Sequence, residues 1–311
     1  MKYKSTIPFA AAFLFLHGLA TTTTAQTKDK STFNIGLVPP LSTNGTHATQ
    51  RANFLSLNAI AGVSRAETGA TIAGFANIVL DHASGAQIAG FMNTTKNSSN
   101  GAQIAGFMNK AGDANVQVAG FLNIARKVKG VQIAGFINIA DSSDCPIGLI
   151  NIIKNGEKSV SLSIDETRTV LLSFRSGGRK LYGILGIGYN DRTHTLQSIQ
   201  AGNGNLKLAT AEAGIGAHWN LTDAFRVNTE LAAITGTDFE HGDYQKDVFR
   251  LLPSLHFQHF EVFAGPTFNY VSSEKGLGAD LIKHYTWSKN AGAKDFQALY
   301  FGAIAGLSYR F

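Results

Sequence analysis

Between Gly69 and Asn151 one phrase returns six times: GATIAGFAN from Gly69, GAQIAGFMN from Gly85 and again from Gly101, NVQVAGFLN from Asn115, GVQIAGFIN from Gly130, and a shortened PIGLIN from Pro146. Repetition at so short a period commits the chain to units that each lie against the next. The marker glycines Gly74, Gly90, Gly106, Gly120, Gly135 and Gly148 stand 13 to 16 residues apart, room for a strand and a short connection. FNIGLVPP from Phe33 and ANFLSLNAIAG from Ala52 read as degenerate forerunners. In the fifth copy Val131, Ile133, Gly135, Ile137 and Ile139 fall on one face, and Gly130, Gln132, Ala134, Phe136, Asn138 and Ala140 on the other.

Two architectures suit that alternation. An apolar, β-branched face opposite a small-and-amide face fits a barrel wall, with lipid outside and a polar lumen inside. It also fits a parallel stack in which Gln87, Gln103, Gln117 and Gln132 form one ladder, and Asn77, Asn93, Asn109, Asn123, Asn138 and Asn151 another. DHAS at 81–84 and KNSSN at 96–100 read as turns between copies. Antiparallel or parallel pairing within 69–140 separates the two arrangements.

The chain ends on LYFGAIAGLSYRF, in which Leu299, Phe301, Ala303, Ala305, Leu307, Tyr309 and Phe311 alternate with a smaller, more polar set. This strand resembles the closing strand of bacterial outer-membrane β-barrels, whose final aromatic is read by the barrel assembly machinery. The other end agrees with that location. Lys2 and Lys4 precede an apolar run from Ile7 to Ala20, and Thr23 and Ala25 occupy the small-residue positions of a signal-peptide cleavage site. The expected layout is a signal peptide at 1–25, a repeat region at 26–156 and barrel hairpins at 157–311. Loss of Lys2 and Lys4 lowers the formal charge from +6 to +4, spread without a basic patch, so no nucleic-acid partner is expected. Cys145, the single cysteine, has no internal partner. With 15% charged residues, 33 glycines and no later apolar run of helix-spanning length, membrane insertion would require a closed barrel.

The second half alternates throughout. Phe249, Leu251, Pro253, Leu255 and Phe257 oppose Arg250, Ser254, His256 and Gln258; Phe225, Val227, Thr229, Leu231 and Ala233 oppose Arg226, Asn228 and Glu230. Long connections near 190–205, 237–248 and 273–297 alternate with tight ones near 176–179, 221–223 and 259, as in barrels with short periplasmic turns and longer outer loops. Trp219, Tyr189, Tyr270, Tyr309 and Phe311 fall near strand ends, where interfacial aromatic belts form.

The repeats, with KLYGILGIGY at 180–189 and FAGPTFN at 263–269, resemble a family of surface repeat-containing proteins of Gram-negative bacteria. The resemblance spans most of the chain beyond residue 25 and implies an outer-membrane or surface location, with no activity and no site residues attached.

The fold expected is therefore all-β, an antiparallel outer-membrane β-barrel of about 16 strands; the alternative is a β-solenoid of repeats followed by an eight-stranded barrel. Arg175, Glu212, Arg226, Glu230, Arg250, His256 and Arg310 are expected to line the lumen. No cofactor or metal is expected. His256 and His259 point to opposite faces of a strand, and the acidic group Asp238, Glu240, Asp243 and Asp247 lacks EF-hand spacing. GLGAD at 276–280 has no strand–loop–helix context for a nucleotide, and serines and histidines occur without a nucleophile motif for a lipid-cleaving enzyme. The functional expectation is a non-enzymatic outer-membrane barrel of structural or passive-pore type, its partners being membrane lipid and the assembly machinery at Phe311. The alternative is a surface binding or adhesion protein on a stacked platform, its ligand unknown.

Overall fold

Parallel pairing decides the first half. In a computed structural model describing residues 30–193, 206–237, 243–274, 281, 284–291 and 295–311, Gln103, Ile104 and Ala105 pair in parallel with Gln87, Ile88 and Ala89 and, on the other side, with Gln117, Val118 and Ala119. The chain is all-β and joins a β-solenoid-like stack to a closed eight-stranded antiparallel barrel. The 16-stranded barrel is thus corrected to the stacked alternative. The expected signal peptide, Asp238, Glu240 and the 276–280 segment lie outside the described residues.

From Gly69 to Ala140 each coil has two apolar-faced sides, one ending in Ile-Ala or Val-Ala and the next opening Phe-X-Asn, joined by a Gly-Phe corner. The corner requires glycine. A Cβ on Gly74, Gly90, Gly106, Gly120 or Gly135 would come within 2.2 Å of a backbone carbonyl oxygen in the coil before it. Coils are spaced like strands of one sheet. The corner phenylalanines, Phe75, Phe91, Phe107, Phe121 and Phe136, therefore stack with ring centroids 4.8 to 5.3 Å apart. The bend turns Phe136 outward, off the face of Gln132 and Asn138 where simple alternation places it. The presumed turns are also corrected: His82 and Ala83 pair in parallel with Ser98 and Ser99, making a third, polar side to the coil.

The interior of this stack is polar. Asn77, Asn93, Asn109, Asn123 and Asn138 each donate from Nδ2 to Oδ1 of the asparagine one coil further on, at 2.9 to 3.0 Å. The same amides also donate to backbone carbonyls at the corner, as Asn109 does to Val118 at 2.8 Å. Gln132 donates to Gln117 and Gln117 to Gln103, at 3.0 and 2.8 Å. Alanines such as Ala105, Ala119 and Ala134 fill the remaining space. A buried amide without partners is costly, so only coils of matching register can share this core.

The barrel follows in eight strands, with one further strand outside the circuit: β1 (Lys158–Asp165), β2 (Val170–Gly177), β3 (Leu181–Thr193), β4 (Leu206–Asn220), β5 (Phe225–Thr237), β6 (Asp243–Phe257), β7 (Phe260–Glu274), β8 (Trp287–Ala291) and β9 (Asp295–Arg310). Neighbours pair antiparallel, and β1 pairs with β9 from Ser159↔Arg310 to Asp165↔Ile304 to close the circle. β8 pairs with the other half of that β9 edge, Asp295 to Leu299. The connections at 178–180, 221–224 and 258–259 share one end of the barrel with Phe311, whose amide donates to Lys158 O at 3.1 Å. At the opposite end the β1–β2 connection, 166–169, is short among longer ones.

The stack is seated on the outside of the wall. On β2 and β3 the residues Arg175 and Tyr182 point inward, so Ser176, Leu181 and Gly183 point outward, and the last coil lies against them. The Asn151 amide N–H donates to Ser176 Oγ at 2.9 Å and its Nδ2 to Ser176 O at 3.0 Å. A Cβ on Gly183 would meet Gly148 O at 2.0 Å.

Asn109→Ala removes the acceptor of Asn93 and the donor to Asn123 and Val118, and should destabilise the stack by about 1–3 kcal/mol, read as a lower midpoint in denaturant unfolding. Glu67 gives a pH-dependent counterpart. It is buried in an early coil, accepting from Ser56 Oγ at 2.8 Å and Asn53 Nδ2 at 3.1 Å, and burial pushes its carboxyl above the usual carboxylate range. A raised folded value means that stability is present at low pH and is lost as pH rises through it. Glu67→Gln should therefore melt higher than the parent chain at pH 7, and the gap should close below about pH 4.

Candidate functional site

Charged side chains are concentrated inside the barrel, on the strand positions that alternate with the apolar outer ones. Midway along the barrel Glu230 accepts from Arg175 Nε at 2.8 Å, from Arg250 Nη1 at 3.1 Å and from the Tyr182 hydroxyl at 2.9 Å. Arg250 Nη2 also lies 2.6 Å from Glu212 Oε1, and Glu212 accepts a further hydrogen bond from Ser173. The Arg175 guanidinium stands 5.1 Å over the ring of Phe263 and donates to Ser161. Two arginines and two glutamates make this layer neutral, which a low-dielectric interior favours over a net charge.

Nearer the short-turn end a second group forms around Arg226, which donates from Nε and Nη2 to Glu261 at 3.0 and 2.5 Å and from Nη1 to Glu157 at 2.8 Å. Asn228 donates to Glu261 at 2.8 Å, and His256 Nε2 lies 3.9 Å from the same carboxylate. Arg310 stands apart from the others: it is a third exposed at the rim, donating to Gln258 O at 3.0 Å with Glu157 3.9 Å away. Toward the other end Lys246 Nζ lies 2.5 Å from Asp165 and 3.4 Å from Glu166, whose Oε1 accepts from the Tyr300 hydroxyl at 2.8 Å.

Of the residues singled out in the sequence, Arg175, Glu212, Glu230 and Arg250 form one cluster, Arg226 and His256 belong to the next, and Arg310 marks the rim. The reading of the sequence missed Glu157, Asp165, Glu166, Tyr182, Lys246 and Glu261. Lys246, Glu261 and Tyr182 share the inward parity of Arg250, Phe263 and Ile184, so the alternation itself would have found them. Glu157 and Glu166 lie in connections, where alternation carries no information.

Apolar layers lie between the ionic ones. Leu252 packs with Phe263 and Ile304; Leu171 packs with Ala232, Ile234 and Val248; Leu208 packs with Tyr244, Val271 and Tyr300. Between Arg175, Arg226, Glu230 and Glu261 the cavity is about 10 Å³, the space of one water. An eight-stranded barrel has an interior just wide enough for side chains to fill. His256 and His259 do not converge, since His259 is exposed and stacks 6.0 Å from Tyr309. Among the described residues no three His, Cys, Asp or Glu side chains are grouped to hold a metal.

The outer surface is the reverse of the lumen. On β6 the outward residues Asp243, Gln245 and Asp247 give way to Phe249, Leu251, Pro253, Leu255 and Phe257. That apolar stretch of nine residues matches the ~9–11 residues with which a tilted strand crosses a bilayer. Trp219, Phe257, Phe260, Tyr309 and Phe311 ring the short-turn end, each largely exposed. Compared with protein-family models, curated proteins and solved structures, the chain gives no match.

Glu230→Ala would leave Arg175 and Arg250 buried against too few acids. Loss of one member of a buried ion cluster costs about 3–5 kcal/mol, so the detergent-refolded barrel should unfold at markedly lower denaturant concentration, followed by far-UV circular dichroism.

Proposed function

We propose that this chain is a non-catalytic outer-membrane β-barrel of the structural type, a plugged anchor that carries a β-solenoid. The observation that carries the reading is the inversion of the barrel, with ion pairs inside and a continuous apolar band of membrane-crossing height outside. A soluble barrel would hide Phe249, Leu251, Leu255, Phe301 and Leu307 and expose Arg250 and Glu212; here the reverse holds. The resemblance of the C-terminal strand to closing strands that end on an aromatic supports the same location, as does the resemblance of the repeats to surface repeat-containing proteins.

Within this reading the structural version is favoured over the passive pore. The ionic and apolar layers fill the cross-section, and the charged groups pair with each other instead of facing an open channel. The geometry also bears on the surface-adhesion alternative. Short turns of such barrels face the periplasm, and the repeat stack joins the wall at the short-turn end. The stack then belongs to the inner side of the membrane, which favours an anchoring or wall-associated role over display at the cell exterior.

The test uses the full chain reconstituted in phospholipid vesicles, with Trp287→Phe leaving Trp219 as the single tryptophan. Brominated acyl chains should quench Trp219 fluorescence, and planar bilayers containing the protein should show no conductance steps. Trp219 emission unaffected by bromine would sink the membrane reading; a steady voltage-independent conductance would replace the anchor with a pore.

A further inference from the structure

The repeat stack is as inverted as the barrel, and its apolar exterior has a shape. Outward-facing Ile72, Ile88, Ile104 and Ile133 form one column, with Val118 and Ile147 completing it. The stacked corner phenylalanines form the next, ending in Leu149. Beyond the corner Met92, Met108, Leu122, Ile137 and Ile150 form a third. The result is a wedge with aromatic rings at its apex. The polar third side of each coil carries Lys96 and Asn97, Asp113, Arg126 and Lys127, or Asp141 and Asp144, and so sets a charged edge along the back of the wedge. Arg126 and Asp113 pair there through two contacts of 2.9 Å.

The wedge continues onto the barrel wall. Pro146 and Ile147 line one cleft of about 190 Å³ together with Leu181, Ile215, Leu231 and Phe249, all on the outer face of the barrel. The asparagine column ends on the outer side of the wall, where Asn151 meets Ser176 of the β2–β3 hairpin near the short-turn end. Exposed apolar surface of this extent marks an interaction site, and its continuity with the wall indicates what covers it.

We infer that the stack is a wing lying in the surface of the bilayer, with its Phe–Ile apex among the acyl chains of the leaflet at the short-turn end and its charged edge in water. The inference rests on the reading of the barrel as membrane-spanning. Full immersion is excluded by the charged edge; among the described residues the first strand, Lys30–Val38, also pairs on its outer side only at Gly36 and Val38, with Leu41–Ser42. Open sheet edges and unpaired charges do not persist in hydrocarbon. An amphipathic body with one apolar side and one charged side is instead held at the interface.

Three single-tryptophan forms of the full chain test this in phosphatidylcholine vesicles brominated near the headgroup end of the acyl chains: one keeping Trp219, one carrying Phe107→Trp and one carrying Lys127→Trp, the last two with Trp219→Phe and Trp287→Phe. The expected result is at least twofold quenching of Trp219 and of the residue-107 tryptophan, with none for the residue-127 tryptophan. Phe121→Trp is a second apex site if the first variant fails to assemble. Quenching of Trp219 without quenching at either apex site would overturn the wing and leave the barrel standing, pointing to a protein or a second copy as the cover. Absence of quenching at Trp219 would overturn the membrane reading, and the wing with it. Quenching at residue 127 equal to that at residue 107 would also overturn the stated orientation.

Discussion

Everything in this molecule depends on hydrogen bonding and ion pairing among polar groups that have been taken out of water. Both halves bury amides or charges among small and apolar side chains and still turn many of their large aliphatic and aromatic side chains outward. An unpartnered buried amide or carboxylate is expensive, whereas a fully connected network is tolerated and rigid. The asparagine column, the glutamine column and the Glu230-centred cluster are three solutions to that constraint. The solenoid meets it with identical neutral groups repeated in register, and the barrel with opposite charges contributed by different strands. Outside, the apolar columns gain nothing from facing water, so the same constraint that shapes the interior also determines the environment the exterior suits.

The barrel was legible in the sequence because its signal is local. Strands from Val170 onward keep an apolar outward face opposite a mixed one, in which Leu171, Ile184, Leu252 and Phe263 accompany the charged residues, and connections of unequal length mark the two ends. Alternation even assigned Arg175, Glu212, Arg226, Glu230 and Arg250 to one side of the wall, since parity along a strand fixes the side of each residue. Closure of these strands belonged to the eight-stranded alternative, but its register through Ser159↔Arg310, residues some 150 positions apart, was not legible. Nor was the pairing of Glu157 with Arg226, because Glu157 lies outside any alternating run.

In the repeat region the sequence pattern is ambiguous. An amide on one face and an isoleucine on the other is what either a lipid-facing wall or a stacked coil demands, so periodicity could not choose between them. Parallel pairing decided it, and the glycines mark where each coil turns. Gly90, Gly106 and Gly120 sit where a Cβ would strike the carbonyl of the marker glycine one coil earlier, so each marker glycine stands beside the next. The phenylalanine after each glycine carries the same message, since ring stacking at 4.8 Å needs identical residues one strand spacing apart.

The sense of the two amide columns has its own consequence. Along the asparagines every donor points toward the barrel, from Asn77 to Asn151, whereas along the glutamines Gln132 and Gln117 donate the other way. The two columns thus run in opposite senses, five asparagine links one way and two glutamine links the other. At the barrel end Asn151 donates to the Ser176 carbonyl in place of another asparagine, while each asparagine before it donates to the next. Such a rod can gain or lose whole coils between its ends while its attachment to the barrel is unchanged, which makes reach, and not chemistry, the property this architecture leaves free to vary.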